Sequence, residues 1–137
     1  MKNPANGFRN LLIILALLLS TGCNTQSRDL TGVTSLEFYE KYREEVQKNG
    51  TPIIDGRTDK MYNEGHIENA INIDADGENL VQLLQEYADE PVIVVYCTTI
   101  RRTTKIIKTL TEFYKGEIIY IRDGMKGWKA NNLPVRQ

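Results

Sequence analysis

Cys97 is the residue of this chain best suited to covalent chemistry. It follows Val92-Ile93-Val94-Val95-Tyr96, a continuous apolar run, and precedes Thr98-Thr99-Ile100-Arg101-Arg102. A run without polar alternation predicts a strand covered on both faces, as in the middle of a parallel sheet. Beyond Arg102, the positions of Ile106, Ile107, Leu110 and Phe113 predict a helix. The cysteine therefore falls on a strand-to-helix loop, the place where open α/β sheets bind ligands. The first backbone N–H groups of a helix lack intrahelical acceptors, and the helix dipole favours negative charge there. A thiolate in that position is expected to ionise well below the usual thiol value of about 8.5. Arg101 and Arg102 add positive charge, and the same cradle suits an incoming anion. The competing reading is plain core packing, since cysteine is among the most often buried residues. The loop position and the two arginines favour a reactive role.

Other residues offer less. His66 is the sole histidine; within Glu64-Gly65-His66-Ile67 it reads as a turn residue, remote in sequence from Cys97. Asp55 and Arg57 read as a structural pair, and Trp128 as packing of the last helix. One histidine and two cysteines form no metal-ligand cluster, so no metal or other cofactor is expected. The chain has 137 residues, 41% hydrophobic and 26% charged, with a formal net charge of −1. That suits one compact domain plus a leader. A mildly acidic body without a basic run argues against a nucleic-acid partner.

The amino terminus reads as an export signal. Lys2 and Arg9 form a positive segment ahead of the unbroken apolar run Leu11–Leu19, which is far shorter than the roughly 20 residues a membrane-spanning helix needs. Ser20, Thr21 and Gly22 then lead to Cys23. This arrangement resembles the lipobox of bacterial lipoproteins, with Ser20 standing where an aliphatic residue is usual. The resemblance implies a signal peptide over 1–22, acylation of Cys23, and anchorage to a bacterial membrane at the cell envelope, outside the cytoplasm. Two acyl chains on one thioether suffice for stable anchoring. Cys97 then has no partner for a disulfide within its own chain.

Residues 23–32 read as the lipidated cysteine and a polar tether, with the domain spanning 33–137. Thr34 with Glu37 makes a capping box ahead of a helix expected to bury Leu36, Phe38 or Tyr39, Tyr42 and Val46. Asn49-Gly50 ends that helix. Strands follow at Pro52-Ile53-Ile54 and Ala70-Ile71-Asn72-Ile73, with a helical turn at Lys60 to Asn63 between them. Leu80, Leu83, Leu84 and Tyr87 mark another amphipathic helix. Ile118-Ile119-Tyr120-Ile121 is the last strand, before a short helix bearing Trp128. Strands alternating with helices indicate an α/β domain with a mostly parallel sheet.

Six motifs in order then carry a family resemblance. They are Asp55-Gly56-Arg57, Glu64-Gly65-His66-Ile67, Asn69-Ala70-Ile71-Asn72-Ile73, Tyr96-Cys97, Gly124-Met125-Lys126-Gly127-Trp128 and Asn132-Leu133-Pro134-Val135. Together the chain resembles a single rhodanese-like (sulfurtransferase) domain. The resemblance implies a three-layer α/β fold with a five-stranded, mostly parallel sheet flanked by helices. It makes Cys97 the catalytic nucleophile and Thr98, Thr99, Ile100, Arg101 and Arg102 the substrate-binding loop. The fourth loop position is usually glycine in the family and is Ile100 here, so either the loop is reshaped or the position tolerates negative φ, and a pocket narrowed by Ile100 that selects the donor is a further expectation. Related phosphatases carry arginine six positions after the cysteine, where this chain has Thr103, and the shorter loop fits sulfur transfer instead.

The activity so implied is a sulfurtransferase or sulfur carrier working through a Cys97 persulfide. Its partners would be a small sulfur-containing donor (thiosulfate, polysulfide or persulfide) and a thiol or other thiophilic acceptor. The alternative is a non-catalytic, lipid-anchored binding module of the same fold, or a thiol redox sensor.

Overall fold

The computed structural model describes residues 29–137. The expected signal peptide, Cys23 and most of the tether lie outside the described residues. Five strands form one sheet: β1 (Leu30–Val33), β2 (Ile53–Asp55), β3 (Ala70–Asn72), β4 (Val92–Tyr96) and β5 (Glu117–Ile121). Their order is β1-β5-β4-β2-β3, and every pairing is parallel. The helices are α1 (Ser35–Glu37), which continues through a π-helical segment (Phe38–Tyr42) into α2 (Arg43–Asn49), then α3 (Asp59–Asn63), α4 (Leu80–Gln85), α5 (Ile100–Leu110) and α6 (Gly124–Ala130).

Strand geometry explains the layers. Successive side chains on a strand point to opposite faces, and here neighbouring residues divide between two buried clusters. Ile53, Val94, Tyr96 and Ile119 pack with Phe38, Val46, Met125 and Trp128 on one face. Ile54, Ile93, Val95 and Ile118 pack with Leu84, Ile106 and Leu110 on the other. The α1–α2 stretch and α6 thus cover one side, while α4 and α5 cover the other. The unbroken apolar run of β4 lies in the middle because both its faces are roofed.

Three details depart from the sequence reading. β1 begins at Leu30, inside the stretch read as tether. Its register Leu30↔Ile118 through Val33↔Ile121 builds it onto the edge of β5. Leu36 is exposed, whereas Ser35 is fully buried. The cause is polar: the Ser35 N–H and hydroxyl donate to the Asp123 carboxylate at 2.7 and 2.8 Å, turning that residue inward. Leu83 is likewise exposed on α4, which buries Leu80 and Leu84. The cap at Thr34 forms, its hydroxyl accepting from the Glu37 N–H at 3.1 Å. Gly50 ends α2 at φ 64°, a left-handed cap suited to glycine.

Candidate active site

Cys97 stands one residue past β4, on the link to α5. It is 1% exposed yet belongs to neither apolar cluster. With Met61, Thr98, Thr99, Arg101 and Arg102 it lines an open pocket of about 280 Å³. The Thr98 and Thr99 backbone N–H groups and the Arg102 charge favour the thiolate form of Cys97.

Helix α6 sets the orientation of those amides. The Met125 N–H donates to the Cys97 carbonyl at 2.8 Å and the Lys126 N–H to the Thr98 carbonyl at 3.3 Å. In a trans peptide the carbonyl and the following N–H point in opposite directions. Drawing the two carbonyls toward α6 therefore turns the Thr98 and Thr99 N–H groups away from α6. Such close approach needs a residue without a side chain at the start of α6. A Cβ on Gly124 would sit 2.2 Å from the Cys97 carbonyl oxygen, and Gly124 has φ +53°, a left-handed conformation that favours glycine. Gly124 is thus a positioning residue; the sequence shows it only as the first residue of the Gly124-Met125-Lys126-Gly127-Trp128 motif, with nothing to tie it to the Cys97 loop.

The rest of the cup comes from three elements. α5 starts without a side-chain cap, since Thr99 is extended and makes no capping bond, so first-turn amides of α5 remain available to a ligand. Arg102 is held at the rim by Asp76, Nε to carboxylate 3.0 Å, and Lys105 reaches the same carboxylate at 2.9 Å. Those cations keep the Asp76 carboxyl below its ordinary range, Lys105 contributing most. From α3, Met61 reaches the loop, where the Thr98 hydroxyl meets its sulfur at 4.0 Å. Asp76 and Met61 had no motif to announce them.

Two expectations need correction. Ile100 does not line the cup: it is 44% exposed, and it opens α5 with helical backbone, outside the positive-φ residues. No glycine is required at that position here. The Cys97 thiol is also pushed up from its ordinary value rather than down. Burial is the largest cause. It outweighs the Thr98 N–H, the Arg102 charge and the Thr99 N–H, which favour the thiolate, while Asp55 adds to the upward push. The amides and the cation act in the expected direction; desolvation exceeds them.

A buried polar network backs the loop. Asp55, fully buried, takes both Nε and Nη2 of Arg57, the shortest contact being 2.7 Å, and Arg57 also donates to the Gly65 carbonyl at 2.7 Å. The Tyr96 hydroxyl donates to Asp55 at 2.6 Å and accepts from the Ile67 N–H at 3.1 Å. Burial and the neighbouring Asp55 push the Tyr96 phenol far above its ordinary value, so it remains a donor. The network joins β2, the α3–β3 link and the residue preceding Cys97. His66 stacks on Tyr62 with ring centroids 3.8 Å apart, and its backbone pairs with Arg136; it does not line the cup. Trp128 is buried and donates to the Pro134 carbonyl at 2.9 Å.

Comparisons with known proteins agree with this architecture. An uncharacterised protein of Buchnera aphidicola subsp. Baizongia pistaciae (strain Bp) is 30% identical over 90 residues, covering 61% of this chain and 58% of that protein. The chain spans between 56% and 63% of the length of the three Buchnera relatives it matches. A rhodanese-related protein from Thermoplasma volcanium superposes with a TM-score of 0.63 at 20% identity, over 77% of this chain and 97% of that one. Thiosulfate sulfurtransferase from Pseudomonas aeruginosa gives 0.60 at 18% identity, over 79% of this chain and 20% of that one. At these identities the structural likenesses establish the fold alone. The family model described as Rhodanese-like domain matches residues 38–131, which include the whole Cys97 loop, the Asp55–Arg57 pair and Gly124. The chain belongs to the rhodanese-like domain family.

Proposed function

We propose that this protein is a sulfurtransferase or sulfur carrier that moves sulfane sulfur through a persulfide on Cys97. The observation that supports it is Cys97 in the lining of an open pocket with an arginine rim, where the Thr98 and Thr99 N–H groups and Arg102 favour the thiolate. The Cys97 thiol loses its proton to solvent, and the thiolate attacks the outer sulfur of a donor such as thiosulfate. The sulfur–sulfur bond of the donor breaks, and sulfite leaves with its electron pair. An acceptor thiolate then attacks the outer sulfur of the persulfide, and the pair returns to Cys97. This is covalent catalysis in two displacements. Burial keeps the resting thiolate scarce, whereas the amides and Arg102 stabilise negative charge as it develops on the sulfur.

The test is intact mass after incubation with thiosulfate or polysulfide. The native chain is expected to gain one sulfur atom that Cys97→Ser does not; equal masses gained by both would overturn the proposal. The upward push on the thiol favours a second reading, a thiol-bearing binding module without transfer. That reading expects no sulfur uptake by the native chain.

The proposal places the domain at the cell envelope through lipid on Cys23, supported by the leader pattern alone. Cells fed an alkyne fatty acid should label the native chain and not Cys23→Ser. Equal labelling of the two would remove the anchor.

A further inference from the structure

Asp76 stands outside the Cys97 cup, and its link to the cup runs through one lining side chain, Arg102. Asp76 Oδ2 lies 3.0 Å from Arg102 Nε, while Oδ1 accepts from Lys105 Nζ at 2.9 Å. Each carboxylate oxygen thus holds one cation of α5. The loop that carries Asp76 is itself pinned. Ala75 is fully buried, and its N–H donates to the Gly56 carbonyl at 3.2 Å. The Asp74 carboxylate accepts from the Asp76 N–H at 2.9 Å, and the Asp74 carbonyl from the Gly77 N–H at 3.0 Å. The turn therefore offers Asp76 to α5 from a fixed backbone, anchored just past β2.

Arg102 has reason to leave the cup without that contact. It is the third residue of α5, in the first turn, where the helix dipole disfavours positive charge. A long arginine side chain also gains rotamer freedom when released. The Asp76 carboxylate opposes both tendencies. A guanidinium approached at Nε keeps its terminal donors for an incoming anion, and such charge-assisted bonds are strong. The contact therefore holds the charge in place without using it up.

We propose that Asp76 is a positioning residue: by holding Arg102 at Nε it keeps the guanidinium at the cup and so sets the preference of Cys97 for anionic reagents. The inference rests on the Cys97 cup as the reacting site and deepens the sulfur-transfer reading, in which thiosulfate or polysulfide arrives as an anion. The sign of the effect separates it from simple electrostatics. As a bare charge, Asp76 repels anions, so its loss would strengthen their attraction to the cup. As the holder of Arg102, its loss weakens that attraction.

The test compares iodoacetate with iodoacetamide, an anion and its near-isosteric neutral counterpart, on the full-length protein in mild detergent at one pH, read by mass on the peptide carrying Cys97. Both reagents react with the same thiolate, so the ratio of their rates cancels the ionisation of Cys97 and reports the charge at the cup. Asp76→Asn is expected to lower the ratio of iodoacetate to iodoacetamide by about two- to fivefold, the scale of an exposed ion pair, and Arg102→Met to lower it at least as far. With Arg102→Met already present, Asp76→Asn should bring no further fall, because residues acting through one contact are not additive. A ratio that rises or stays level in Asp76→Asn, or a fall of equal size with and without Arg102, would overturn the proposal. Asp76→Ser carries the same expected sign should Asp76→Asn fail to fold. Sulfur loading is measured separately, so a native chain that takes up no sulfur while Asp76→Asn lowers the ratio defeats the transfer reading and leaves Asp76 as the positioning residue of a thiol site.

Discussion

Around the Cys97 sulfur, burial and hydrogen bonding act in opposite senses, and burial is the larger. The sign of each contribution gives a prediction. Arg102 favours the thiolate, so Arg102→Met should raise the pH at which iodoacetamide alkylation of Cys97 reaches half its maximal rate. A midpoint unchanged or lowered would place the Arg102 charge elsewhere. The native midpoint itself should lie above the ordinary thiol range. The same shift affects stability: the folded state prefers the neutral thiol, so this contribution is complete below the unfolded pKa, about 8.5, and is lost as pH rises through the folded value. Ile100 supplies a contrasting case. Since it begins α5 with helical backbone and points to solvent, Ile100→Gly should leave sulfur loading unchanged and cost up to about 1 kcal/mol of helix stability. Urea unfolding alongside the loading assay checks both halves.

The elements behind the loop determine whether those charges meet the sulfur at all. α6 holds the Cys97 and Thr98 carbonyls, and Gly124 permits the approach. Gly124→Ala is expected to destabilise the fold by about 2–4 kcal/mol through a strained φ and overpacking. In the molecules that still fold, the amides would turn from the sulfur and the alkylation midpoint would climb. A merely structural role would lower stability and leave that midpoint in place. β2 and β4 contribute the Asp55–Arg57–Tyr96 network. Removing one partner from a buried ion pair typically costs about 3–5 kcal/mol, so Asp55→Asn should lower the denaturant midpoint sharply. A loss under about 1 kcal/mol would mean the pair behaves as a surface salt bridge.

Across the whole molecule, stability depends on a sheet roofed on both faces and finished at its edge. β1 supplies that edge, and the Asp29 carbonyl accepts from the Ile118 N–H at 2.9 Å just before it. A chain beginning at Val33 would leave the β5 edge unpaired, a template for association between molecules. Compared with a chain beginning at Asn24, it should melt lower and scatter more light on warming. Equal behaviour of the two would make β1 dispensable.

Local pattern made much of this molecule legible. The apolar run before Cys97 requires a strand with two covered faces, and the helical spacing after Arg102 places the cysteine on a loop at the mouth of the sheet; both follow from side-chain periodicity, which is written residue by residue. Asp55, Arg57 and Trp128 were likewise placed correctly as structural residues. Three things lay beyond sequence reach. β1 is too short and too polar at Thr31-Gly32 to announce a strand, and it exists because β5 offers it a ladder. Gly124 meets the Cys97 carbonyl across 27 positions of chain, a contact no local pattern encodes. The direction of the Cys97 shift is a difference between desolvation and hydrogen bonding, both of which depend on how tightly the surrounding layers close over one sulfur atom. Periodicity determines which elements form, and only packing decides the balance of forces where they converge.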